Sequence, residues 1–193
     1  KIGRGKIHKY LGMTLDFTTT KQLKITMTEY VKDIITTWER EKKKHDDGFK
    51  RVGKKVKRTA APEDLFKVNE DAAKLPTEKA TAFHNIVAKS LYLVKRARPD
   101  ASVAIAFLTT RVREPDEDDW RKLEHLVEYF KSTTDMPLIL GSDSTGILQW
   151  FVDASFAVHP NMRSHTGGAI SMGYGVLHCK GAKDRKSTRL NSS

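Results

Sequence analysis

The residue types that could do chemistry cluster late in the chain. Trp150-Phe151-Val152 is an apolar run closed by Asp153 and followed by Ala154 and Ser155. A carboxylate at a strand end can face a divalent ion. Several such groups together hold two Mg²⁺ ions, which activate water and stabilise a leaving oxygen. A single Asp can equally cap the turn after its strand, and capping is the simpler reading of Asp153 taken alone. Arg163-Ser164-His165-Thr166-Gly167-Gly168 offers a guanidinium, hydroxyls and backbone donors to a phosphate. It lacks the Gly-Lys-Ser/Thr ending of a nucleotide-hydrolase loop, and a polar turn entering the strand at Ala169 is the simpler reading. Lys95, Arg96 and Arg98 gather three cations before Pro99. They suit either a solvated helix end helped by the dipole or contact with a phosphate backbone. The run Asp116 to Asp119 reads first as helix capping, with metal binding as the weaker alternative. The seven histidines show no helical metal-binding spacing, so no zinc site is expected.

These groups need elements to hold them. Ile7 to Phe17 is an apolar run around Gly12, and Leu23, Ile25 and Met27 alternate with polar residues, which predicts a β-hairpin across the polar link 18–21. Thr28 caps a helix whose apolar positions Val31, Ile34, Ile35 and Trp38 follow a helical period. Further helices are expected from Thr77, from Pro99-Asp100 and from about Pro115, the last with acids at its positive end. After Asp135 the pattern turns to short strands at 138–140, 147–152, 169–172 and 176–179, punctuated by glycines. The predicted class is α+β: a β-hairpin (1–27), a helical region (28–134), and a mixed sheet (135–179). Residues 180–193 are expected to be tail.

Charge narrows the classes further. The 193 residues carry 35 Lys and Arg against 24 Asp and Glu, a formal +11. Ten Lys/Arg and four Asp/Glu fall between Glu39 and Arg58, a local +6, and residues 180–193 add +4. The stretch 39–58 is expected to be a disordered basic loop, able to supply salt-dependent, sequence-indifferent affinity for nucleic acid. No apolar run approaches the ~20 residues of a membrane span, and no charged-then-apolar leader opens the chain. The lone Cys179 excludes a disulfide scaffold and a cysteine-rich zinc site. An intracellular setting, with no membrane partner, is the expectation.

The order of motifs says more than any one of them. Tyr10-Leu11-Gly12-Met13, then Glu29-Tyr30-Val31-Lys32-Asp33-Ile34, resembles the stretch after the polymerase centre of copia-type LTR retrotransposon polyproteins. Phe83 to Leu93, Arg96-Ala97-Arg98-Pro99-Asp100 and Ala104 to Leu108 resemble the helices that follow in that family. Val152-Asp153-Ala154-Ser155-Phe156-Ala157 with Arg163 to Gly168 resembles the first strands of its ribonuclease H domain. The resemblance spans about residues 7–179.

It implies the end of a reverse transcriptase joined to the start of a ribonuclease H. Residues 1–27 would be the end of the palm and 28–134 the thumb and connection. Asp153 would correspond to the first metal-binding carboxylate, with Mg²⁺ as cofactor. Tyr10, Leu11 and Gly12 would form the primer-contact hairpin. Lys95, Arg96, Arg98, Arg163, Ser164 and His165 would meet a template-primer or an RNA–DNA hybrid, in a cytoplasmic particle or the nucleus. Departures from the family pattern bear on activity. The Tyr-Val-Asp-Asp polymerase motif is absent, and past Cys179 the Ser-Thr-Glu helix with the second acid is replaced by an unrelated basic stretch. A catalytically inactive fragment is the expectation. A non-catalytic nucleic-acid-binding module and an unselected gene-model product remain the alternatives.

Overall fold

The computed structural model describes residues 4–45, 56–159 and 162–184. Ile7–Tyr10 (β1) and Met13–Asp16 (β2) flank Leu11 and Gly12, whose φ angles are 49° and 80°. Two consecutive positive φ values make the tight turn whose twist suits a hairpin. The apolar run 7–17, which reads as one strand, therefore folds back on itself, with Tyr10 opposite Met13. Gln22–Thr26 (β3) then pairs with β2, giving two hairpins where the polar link alone announced one.

Four α-helices follow among the described residues: α1 (Thr28–His45), α2 (Thr77–Val94), α3 (Ser102–Arg111) and α4 (Glu117–Ser132). A 3-10 turn, Pro99–Ala101, precedes α3. The buried stripe of α1 is Val31, Ile34 and Trp38, as its period requires. Trp38 meets Trp120 of α4 with ring centroids 4.6 Å apart, and Phe83, Ile86, Phe107, Leu123 and Phe130 complete the core between the helices.

The helix does not stop where its apolar stripe stops. Residues 39–45, expected in a disordered loop, form the last turns of α1. Lys42 bonds Glu124 of α4, Lys44 lies 2.8 Å from Glu78 of α2, and Glu39 lies 3.1 Å from Lys131. Ion pairs to two neighbouring helices take over from apolar packing, and the basic last turn complements the negative helix end. The rest of that expected loop through residue 55 lies outside the described residues.

The strands form two sheets, and every pairing among the described residues is antiparallel. The larger has the order β1-β2-β3-β4-β7, where β4 is Leu138–Ser142 and β7 is Gly173–Tyr174. The smaller has the order β5-β6-β8, with β5 Gln149–Ser155, β6 His165–Ser171 and β8 His178–Lys183. The class is α+β, but the expected mixed sheet is not seen. β4 leaves the expected unit 135–179 to pair with β3, Leu140 lying opposite Leu23. Residues 180–183, expected as tail, complete β8 because they extend the ladder with 165–168. Residues 185–193 lie outside the described residues.

The smaller sheet docks on α3 through one face of β8. A Cβ on Gly181 would stand 3.4 Å from the Ala106 Cβ and 3.1 Å from the His165 Nε2, so glycine lets strand and helix approach closely.

Candidate nucleic-acid interface

Asp153 lies within β5 opposite Gly167, and its side chain is exposed. Its Oδ1 accepts the N–H of the next residue, Ala154, at 2.9 Å, and it stands inside the strand, two residues before its end. Among the described residues, no group of three carboxylate, imidazole or thiol side chains is placed to hold a metal ion. Asp153 is not joined there by partners that would fit Mg²⁺.

The acidic run has other uses. Asp116 and Asp119 form a reciprocal cap at the start of α4: each carboxylate accepts the other's backbone N–H, at 2.9 and 3.1 Å. Arg111 donates to both carboxylates, at 2.8 and 2.9 Å. Glu117 pairs with Lys79, and Asp118 pairs with Arg121 and Lys122. All four acids are engaged in holding α4.

The three cations near Pro99 part company. Arg98 is 1% exposed. Its Nε and Nη2 donate to Asp100 at 3.0 and 2.8 Å, Nη1 donates to the Thr133 carbonyl at 3.0 Å, and Nη2 also donates to the Thr133 hydroxyl at 2.8 Å. Tyr129 closes the network by donating to Asp100 at 2.8 Å. Arg98 therefore ties the turn after α2 to the end of α4 and faces no solvent phosphate.

Lys95 is exposed and Arg96 half-buried at the C-terminal end of α2. The Arg96 guanidinium carbon stacks 3.5 Å from the centroid of the Tyr92 ring. The Tyr92 hydroxyl donates to the Leu11 carbonyl at 2.9 Å, at the tip of the β1–β2 hairpin. Tyr30 packs beside it, with ring centroids 5.2 Å apart. Burial, reinforced by the neighbouring Tyr92 and Asp33, holds the Tyr30 phenol above its ordinary range. Tyr10 and Leu11 remain exposed at the tip. The structure thus joins two sites that are far apart in sequence, Tyr10-Leu11-Gly12 and Lys95-Arg96. The linking residue is Tyr92, which sequence reasoning passed over as one more position on a helix.

The second phosphate candidate is split as well. Arg163 and Ser164 are half-buried, and the Ser164 hydroxyl accepts the Ala157 N–H at 3.4 Å. His165 is buried, its Nδ1 3.1 Å from the Nε2 of His159 and its ring against Phe66, while His159 stacks on Phe107. It is a packing residue in this geometry. Burial, and next the guanidinium groups of Arg163 and Arg111, hold the Lys183 ammonium below its usual range. Lys183 itself is half-buried at the end of β8.

The surface these contacts build is the hairpin tip with Tyr92 and Arg96, and Lys95 is exposed at the same helix end. The fold that carries them is α+β with two antiparallel sheets, and no helix among the described residues is long and apolar enough to cross a membrane. No protein-family model matches the chain, nor does any curated protein or solved structure.

Proposed function

We propose that this chain is part of a copia-type reverse transcriptase–ribonuclease H polyprotein, and that it holds the backbone of a nucleic-acid duplex without catalysing on its own. The observation that carries the reading is the bridge at Tyr92. Its hydroxyl fixes the hairpin tip while its ring supports Arg96, so one side chain ties a tight turn to a guanidinium, with Lys95 exposed next in the chain. A guanidinium stacked on an aromatic ring is preorganised, losing less freedom on meeting a phosphate than a free side chain would. Asp153 stands where the resemblance places a metal-binding carboxylate.

Titration of a labelled RNA–DNA hybrid across a range of salt tests this. Binding is expected to be sequence-indifferent. Replacing Lys95 and Arg96 with Ala should weaken it and reduce the log–log salt slope by about one per lost phosphate contact. Replacing Lys42 and Lys44 should change it less, since both are held by acids of neighbouring helices. The reverse ranking would refute the hairpin–α2 surface. Cleavage of the hybrid that disappears on Asp153→Asn would refute the non-catalytic part.

A further inference from the structure

A narrow cleft opens where the end of α2 meets the start of β8. The α2 end contributes Lys95, Arg96 and Pro99 to its lining, and the chain entering β8 contributes Leu177, His178 and Cys179. The cleft holds about 60 Å³, far below the roughly 300–1,000 Å³ of a pocket that encloses a small molecule. It suits one compact group. None of the lining residues is acidic, so its charge is that of Lys95 and Arg96, and the His178 imidazole adds a further donor.

Cations at a helix C-terminus ordinarily complement its last carbonyls. Here the main chain already serves them. The Lys95 N–H donates to the Leu91 carbonyl at 3.1 Å, and the N–H groups of Arg96 and Ala97 donate to the Leu93 carbonyl at 3.1 and 2.9 Å. Arg96 uses Nη1 on the Tyr92 carbonyl, at 3.3 Å. Among the described residues, no side-chain hydrogen bond or ion pair engages Lys95 or His178. The cleft therefore gathers donors that lack an acceptor.

We propose that this cleft seats one backbone phosphate of the bound nucleic acid, with Lys95, Arg96 and His178 as its donors. The inference rests on the duplex-holding function above and adds His178, so that β8 joins α2 in gripping the same strand. A phosphate matches the guanidinium fork of Arg96 and the point charge of Lys95. Pro99 and Leu177 thin the water around it, which strengthens each charge contact.

Cys179 is the chain's one thiol, and it is half-buried in the lining of the cleft, so its alkylation reports occupancy. A saturating RNA–DNA hybrid should slow alkylation by iodoacetamide several-fold, and inorganic phosphate at the same concentration of phosphate groups should not. His178→Ala should weaken hybrid binding about threefold to tenfold, the worth of one hydrogen bond. It should also restore much of the alkylation rate, and His178→Gln, which keeps an N–H donor, should recover part of the affinity. His178 is exposed, so the thermal midpoints of both variants should match the parent. A hybrid that binds with a salt slope dependent on Lys95 and Arg96, yet leaves Cys179 reacting at its free rate or ignores His178→Ala, would overturn the cleft while the proposed function stands. Protection by inorganic phosphate alone would overturn the assignment to a polymer backbone. Absence of hybrid binding would overturn both the cleft and the function.

Discussion

Replacing Arg98 with Met separates a structural role for this arginine from a nucleic-acid one. Met keeps most of the apolar stem and removes five N–H donors. In the folded chain those donors serve the Asp100 carboxylate and both oxygens of Thr133. The Arg98 side chain is 2% exposed and that of Asp100 is 30% exposed. Breaking a fully buried pair from one side costs about 3–5 kcal/mol, because the partner charge is left without compensation. Water reaches part of Asp100, and Tyr129 still donates to it, so the lower end applies: about 3 kcal/mol. The guanidinium also lies 5.2–5.3 Å from the Phe130 and Tyr129 rings, contacts that Met preserves in part. Urea unfolding followed by tryptophan fluorescence reads the loss directly, as a lower midpoint with an unchanged slope. Hybrid affinity, measured well below that midpoint, should stay within about twofold of the parent, since no phosphate reaches a side chain so deeply enclosed. A variant of parental stability with strongly reduced hybrid binding would refute the reasoning and return Arg98 to the surface role its sequence context suggests.

The His159–His165 pair should make stability sensitive to acid. Burial, with Lys183 and His165 adding to it, pulls His159 down from 6.5 to about 4, and burial also lowers His165, while Asp184 opposes both shifts. The unfolded chain therefore binds more protons than the folded chain between the ordinary histidine range and about pH 4. The contribution is complete above pH 6.5 and is lost as the pH falls through that window. The thermal midpoint should drop more steeply from pH 7 to 4.5 in the parent than in a chain with both histidines replaced by Phe, and equal slopes would refute the role. Gly175 and Gly146 have nearly the same φ, +73° and +71°, but a Cβ on Gly175 would stand 2.0 Å from the Ile139 carbonyl oxygen, whereas Gly146 is open. Gly146→Ala should cost about 1–2 kcal/mol for backbone conformation alone. Gly175→Ala should cost more than about 3 kcal/mol, because the main chain of β4 must also move, and equal costs in urea unfolding would refute the close approach.

Helix positions were legible in the sequence because each helix carries its own evidence. The period of Val31, Ile34 and Trp38 and the acids before α4 are local patterns, and they match the elements that form. The end of α1 was not legible, because Lys42 and Lys44 are held by Glu124 and Glu78, residues from other helices. A charge run reads as a solvated segment until its partners are known. The turn at Leu11-Gly12 was hidden for a different reason. Leu is a poor candidate for positive φ, and nothing local predicts that Tyr92, on α2, will hold its carbonyl. Of the candidate site residues, Leu11 and Arg96 are brought together through Tyr92, with Tyr10 and Lys95 exposed beside them in the chain. Arg98 and His165 were drawn from the same motifs but turn inward, because residue type and spacing do not say which way a side chain faces after a turn.

The same limit explains the domain boundary expected near residue 135. Composition does change there from helix to strand, but pairing ignores the change. The chain enters the larger sheet at β4, leaves it for β5 and β6, returns for β7, and leaves again for β8. Each crossing is held by a ladder: Ile25 opposite Leu138 on entry, Gly141 opposite Tyr174 on return. The smaller sheet is thus laced to the larger by β7, and to the helices by the close approach of Gly181 to α3 and the stacking of His159 on Phe107. One edge of that sheet is fastened at every point where chain or helix reaches it, and the other, β5, exposes every residue it has. A strand that kept Trp150, Phe151 and Val152 in water on both faces would forfeit the burial that makes such residues suited to strands at all.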